Sequence, residues 1–153
     1  YSITSPLLRK IFSIPKKPSQ VILMVQKELA ERITAEPGSS DRGWLTLLCE
    51  ASAETKIIRR VQPGSLYPAP KVDSAVISLT PFAESKMPDI FWPAVEAGFR
   101  HKRQTLANSL KDIQVTKEKS EKLLAEMGLN PMIRPQELTF EQWSELSAKI
   151  QQK

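Results

Sequence analysis

The first clear rhythm of apolar positions is Leu7, Leu8, Ile11 and Phe12, one face at helical spacing with Arg9 and Lys10 beside it. Ser5 is expected to cap this helix, with Pro6 in the first turn, where its missing N–H costs nothing. Pro15 and Pro18 end it. Val21 to Val25 is an unbroken apolar run, the pattern of a strand covered on both faces in a parallel sheet. Lys27 to Ala35 mixes charges with Leu29, Ala30 and Ile33 and predicts a helix laid on that sheet. Pro37 to Gly43 reads as a polar, mobile loop, and Trp44 to Ala53 as a second helix. Two more strands are expected, Thr55 to Val61 and Asp73 to Thr80, separated by the proline-rich loop Pro63 to Lys71.

Beyond Pro81 the rhythm is helical throughout. Glu84 to Pro88 reads as a linker, and Asp89 as the cap of a helix carrying Ile90, Phe91, Val95 and Phe99, with Pro93 near its start. Thr105 to Leu110 is a short apolar stripe. Thr116 opens a helix with Leu123, Leu124 and Met127 inward, stopped by Gly128. Thr139-Phe140-Glu141-Gln142 is a capping box before Trp143, Leu146 and Ile150. The pattern divides the chain into an α/β region, 1–83, and an all-helical region, 84–153. The α/β part is incomplete. A parallel sheet of this kind normally opens with a glycine-rich turn that holds a cofactor, and the five glycines here are scattered. The sheet is expected to be completed by a segment absent from this chain.

Composition narrows the picture further. A hydrophobic fraction of 41% and a charged fraction of 25% describe a globular protein. No apolar run approaches the roughly 20 residues of a membrane span, and no signal-peptide pattern opens the chain. The single cysteine, Cys49, excludes an internal disulfide or a cysteine metal cluster, suits a reducing cytoplasm, and sits among leucines as a core thiol. A net charge of +5 favours a polyanionic partner, but the placement of the charges says more than their sum. Arg100, His101, Lys102 and Arg103 form the densest positive cluster. His101 has no acidic neighbour in sequence, so neither a catalytic base nor a metal ligand is expected there.

Three segments carry more than a generic fold: Tyr1 to Leu8, Tyr67 to Val76 (YPAPKVDSAV) and Phe99 to Leu110 (FRHKRQTLANSL). In this order and spacing, joined by Gln26 to Arg32 (QKELAER), they resemble the KsgA-type ribosomal RNA adenine dimethyltransferases. The resemblance runs over essentially the whole chain and covers the latter part of the family's length. It implies an incomplete Rossmann-like methyltransferase sheet followed by a small helical C-terminal domain. It also implies a parent enzyme that transfers methyl groups from S-adenosylmethionine to adenines of small-subunit ribosomal RNA. The partner would be that RNA or the assembling small ribosomal subunit, in the cytoplasm, with the protein a monomer away from any membrane.

In that family an Asn-Leu-Pro-Tyr motif forms the methyl-transfer site, and Tyr1 resembles its last member. Acceptors on the adenine amino group localise its lone pair toward the methyl, and an aromatic ring holds the extruded base by stacking. The resemblance places the proline loop, Leu66, Tyr67, Pro68 and Pro70, on the other side of the target base. Here the chain departs from the family, which usually carries Phe where Leu66 stands. Either Leu66 makes a weaker apolar contact or Tyr67 takes over the stacking, and Leu66 is favoured. Lys71 is either a phosphate contact or a solvated charge. Arg100, Lys102 and Arg103 would grip RNA phosphates, with Arg9, Lys10, Lys16 and Lys17 as a continuation. No cofactor-binding or metal-binding residue is expected within the chain, which alone should be inactive. The alternatives are a non-catalytic RNA-binding module descended from such enzymes, and a resistance methyltransferase acting on large-subunit RNA.

Overall fold

The computed structural model describes residues 3–152. They form two compact units, one of residues 3–35 and 45–85, the other of 36–44 and 86–152. In the first unit, helix α1 (Thr4–Ser13) begins earlier than the sequence suggests. Leu7 N donates to Ile3 O at 2.9 Å, so Ser5 lies inside the helix rather than capping it. Pro6 still falls in the first turn, where it breaks no hydrogen bond. Strand β1 (Val21–Gln26) passes directly into α2 (Lys27–Ile33). Helix α3 (Trp44–Ser52) follows, buried along most of its length, and leads into β2 (Ala53–Val61). Thr46 fastens α3 to α2 by donating from Oγ1 to Arg32 O at 2.6 Å.

The sheet is antiparallel where a parallel one was expected. Its order is β1-β3-β2, with the last strand, β3 (Ser74–Pro81), in the middle and antiparallel to both neighbours. The cause is the connection before β3. Parallel neighbours need a crossover, usually a helix, whereas between β2 and β3 there is one 3₁₀ turn, Pro63–Ser65. Strands β1 and β2 do run the same way, joined through α2 and α3, but they are not adjacent. Burial of β1 also departs from expectation: Val25 is buried, while Ile22 and Met24 are 56% and 43% exposed. On β3, Ala75, Ile77 and Leu79 make the buried face.

The second unit follows its caps closely. In α4 (Phe91–Arg100) Asp89 does not cap, the N-cap being Ile90 without a side-chain bond. Thr105 caps α5 (Leu106–Ser109), Thr116 caps α6 (Lys117–Glu126), and Thr139 and Gln142 form a reciprocal capping box at α7 (Phe140–Gln151). Gly128, at φ +72°, closes α6 in the left-handed region that glycine favours. Phe91, Val95, Leu106, Leu110, Leu124, Trp143 and Leu146 are fully buried and form the core.

The segment at 36–44, expected as a mobile loop of the first region, packs instead with the second unit. Arg42 is fully buried and donates from Nε to Leu138 O at 3.1 Å, and Gly38 N donates to Gln136 O at 2.8 Å. A guanidinium removed from water needs such acceptors.

Helices α4 and α7 approach so closely at Gly98 that a Cβ there would lie 2.7 Å from Trp143 Cη2. Alanine would improve helix propensity by about 1 kcal/mol, but overpacking costs about 1–3 kcal/mol. Gly98→Ala should therefore lower unfolding free energy by up to about 2 kcal/mol in urea titrations, without the gain of about 1 kcal/mol that propensity alone would give; a variant more stable than the parent would disprove the close contact. Burial, with the Glu50 charge adding to it, pushes the Cys49 thiol up to about 12. Near pH 8 the folded protein should thus resist alkylation by iodoacetamide and react only on unfolding, and rapid labelling of the native state would contradict this burial.

Candidate functional site

In open α/β sheets, ligands gather outside the carboxyl ends of the strands. Here that end is well defined, because Gln26 of β1 and Val61 of β2, the last residues of the two parallel strands, both lie opposite Ser74. The proline-rich connection leaves from Val61 and re-enters at Ser74, so it stands at this end of the sheet. Lys27 N donates to Asp73 O at 2.9 Å, which pins the end of the connection to the start of α2. A cavity of about 350 Å³ opens here, lined by Gln26, Lys27, Glu28, Glu31, Val72 and Asp73. Its walls are charged: Lys27 pairs with Glu31 at 3.8 Å, and Arg60 reaches Glu31 at 3.4 Å.

Along the connection, Leu66 is half-buried and its N–H donates to Pro63 O at 3.1 Å, closing the 3₁₀ turn. Its φ of −123° and ψ of 150° are extended. Tyr67 is completely exposed. Pro68, after a cis peptide bond, is exposed, Pro70 is half-buried, and Lys71 is exposed. Leu66 and Tyr67, which the sequence placed on one pocket wall, thus differ in exposure. Tyr1 lies outside the described residues. Arg9 and Lys10 are exposed on α1 in the same unit.

In the second unit the basic turn after α4 is less open than its sequence suggests. Arg100 Nη1 donates to Asp112 Oδ2 at 3.1 Å, and His101 Nε2 lies 3.0 Å from the same oxygen. His101 therefore has the acidic partner that its sequence neighbourhood lacked. Lys102 donates from Nζ to Ser40 O. Arg103 is exposed and, among the described residues, makes no ion pair. Asp112 arrives because Leu110–Ile113 folds back as a 3₁₀ turn immediately after α5. Spacing alone does not announce such a return; the one sequence signal is a lone carboxylate following an amphipathic stripe.

The same geometry explains the second half of the basic motif. Thr105 accepts from Asn108 N, Ser109 donates to Thr105 O at 3.2 Å, and Leu106 and Leu110 are buried. These residues build the turn that displays the cations.

Residues 1–152 match the family described as ribosomal RNA adenine dimethylase. Among curated relatives, ribosomal RNA small subunit methyltransferase A of Clostridium botulinum (strain ATCC 19397 / Type A) is 38% identical over 151 residues, covering 96% of this chain and 55% of the relative. The protein of the same description from Lactobacillus johnsonii is 38% identical over 152 residues, covering 96% and 51%. The chain thus spans about half the length of these relatives. A dimethyladenosine transferase from Plasmodium falciparum superposes with a TM-score of 0.84 at 25% identity, over 99% of this chain and 64% of that one. The 23S rRNA methyltransferase ErmE shares the fold, with a TM-score of 0.75 at 23% identity over 99% and 62%. Matched along almost its entire length by sequence and by backbone, with an incomplete methyltransferase sheet leading into a helical unit, this chain belongs to the ribosomal RNA adenine dimethylase family.

Proposed function

We propose that this chain is the base-holding and RNA-gripping part of an S-adenosylmethionine-dependent enzyme that dimethylates adenines of small-subunit ribosomal RNA. The observation that carries the reading is the proline-stiffened connection at the carboxyl ends of β1 and β2, pinned by Lys27 N to Asp73 O, in a chain of this family. The curated relatives described as acting on the small subunit favour that RNA over the large-subunit one.

The residues have separable roles. Tyr1 supplies a stacking face for the extruded adenine. Leu66, on the half-buried side of its turn, gives an apolar contact where the family carries Phe. Pro68 and Pro70 stiffen the rim, so little conformational freedom is lost when a nucleotide docks. Arg100, Lys102 and Arg103 contact phosphates and orient the substrate without reading bases, and Arg9 and Lys10 make a phosphate contact of their own in the first unit. Residues 1–83 serve chiefly the methyl-transfer side, with Arg9 and Lys10 as an RNA contact, and 84–153 the RNA side. S-adenosylmethionine would supply an activated methyl group, but the residues of this chain do not fit it. The Gln26–Lys27 junction of β1 and α2 carries no glycine, and Gly64, in the 3₁₀ turn after β2, stands alone rather than in a glycine-rich run.

Methylation of small-subunit RNA by the full-length protein, followed by mass spectrometry of the modified adenines, tests the reading. Dimethyladenine is expected from the full-length protein and none from residues 1–153 alone; turnover by the latter would overturn the division of labour. Leu66→Phe should raise kcat/KM about fivefold or more, since base–aromatic stacking is worth roughly 1–3 kcal/mol. No gain would remove Leu66 from the pocket.

Arg103→Ala should reduce the slope of log affinity on log salt by about 1, and the combined Arg100, Lys102 and Arg103 alanine variant by more. An unchanged slope would take the basic turn out of the interface.

A further inference from the structure

We propose that the basic end of β2 and the middle of its connection to β3 form a lane for single-stranded RNA beside the modified nucleotide. In it Tyr67 stacks on a neighbouring base, and Arg59 and Lys71 hold phosphates. The inference rests on the RNA-modifying reading above and assigns a second contact within the same unit.

The aromatic element comes first. Tyr67 is 101% exposed, and among the described residues its ring meets no other ring and its hydroxyl has no hydrogen-bond partner. An aromatic side chain left wholly in water has its entire stacking surface available. Leu66 is half-buried and extended while Tyr67 beside it is wholly exposed, so the ring is available to a nucleotide other than the one Leu66 meets. Three prolines, Pro63, Pro68 and Pro70, surround the ring in sequence and limit the conformations its backbone can sample.

The cations are placed by the strand. Strand β2 carries a bulge between Ile57 and Arg59, after which Arg59 lies opposite Val76 and Arg60 opposite Ala75. The two arginines are consecutive in the regular register beyond the bulge, so they take opposite faces of the sheet. Arg60 shares the face of buried Ala75 and reaches Glu31. Arg59 takes the other face, is exposed, and has no ion-pair partner among the described residues. Lys71, on the far side of Tyr67 in the connection, is likewise exposed and unpaired among them. Between residues 59 and 73 three cations, Arg59, Arg60 and Lys71, face one carboxylate, Asp73.

A cation, a bare aromatic ring and a second cation along one segment suit an unpaired strand, whose phosphates alternate with unstacked bases. A duplex would offer phosphates but keep its bases stacked away from the ring.

The test uses the full-length protein and a short RNA carrying the target adenines, with 2-aminopurine at the adjacent nucleotide as a stacking reporter. Binding by the wild type should quench the reporter. Tyr67→Ala should abolish the quench and weaken binding roughly five- to hundred-fold, the span of base–aromatic stacking, while Tyr67→Phe and Tyr67→Trp keep both. Arg59→Ala and Lys71→Ala should each flatten the salt dependence by about 0.7 on a single strand. Thermal melting of each variant confirms that it is folded.

Wild-type methylation with unaltered quench, affinity and salt slope in all three alanine variants would overturn the lane and leave the function standing. A Tyr67→Ala protein that keeps RNA contacts but loses binding to a protein would equally overturn it, assigning the ring to a protein partner. A wild type that binds no RNA would overturn both readings.

Discussion

The return from β2 to β3 without a helix governs the first unit. One 3₁₀ turn and several prolines cannot carry the chain across the sheet, so β3 comes back antiparallel and takes the central position. Its two neighbours then point their carboxyl ends at the same residue, Ser74. The connection that imposes this geometry is thereby held where ligands meet such sheets. A rigid rim and an unusual strand order thus share one cause.

The second unit handles positive charge by partial internal neutralisation. Asp112 meets both Arg100 and His101, and Lys102 is tethered to the carbonyl of Ser40. At these exposures the Arg100–Asp112 pair contributes at most about 1 kcal/mol to stability. Its larger effect is geometric, since it restricts a long side chain beside Arg103, and a phosphate can displace a weak exposed pair.

Features legible in the sequence were those decided locally. Thr116 and Thr139 act as caps because a hydroxyl three residues ahead of an orphan N–H is in reach once the helix starts there, whereas at Ser5 the helix starts earlier and the cap is lost. Gly128 stops α6 for an equally local reason. Strand direction in the sheet was not legible: Val21 to Val25 looked fully enclosed, yet Ile22 and Met24 are exposed, because burial depends on what packs against a face. For the candidate site, the proline connection and the basic cluster could be found from residue types. The link of Asp112 to His101 and the unequal exposure of Leu66 and Tyr67 could not, since they follow from a folded-back turn and the path of the connection.

Arg42 has a consequence for modularity. The segment that carries it lies in sequence between α2 and α3 of the first unit, yet it packs with the second, where it meets the carbonyls of Gln136 and Leu138. The chain therefore passes from one unit to the other three times rather than once. A helical cassette cut at the obvious junction near Ser85 would leave its own strap behind. Recombination that exchanges the C-terminal part among relatives must carry a matching 36–44 segment as well, so the two units are constrained to evolve together.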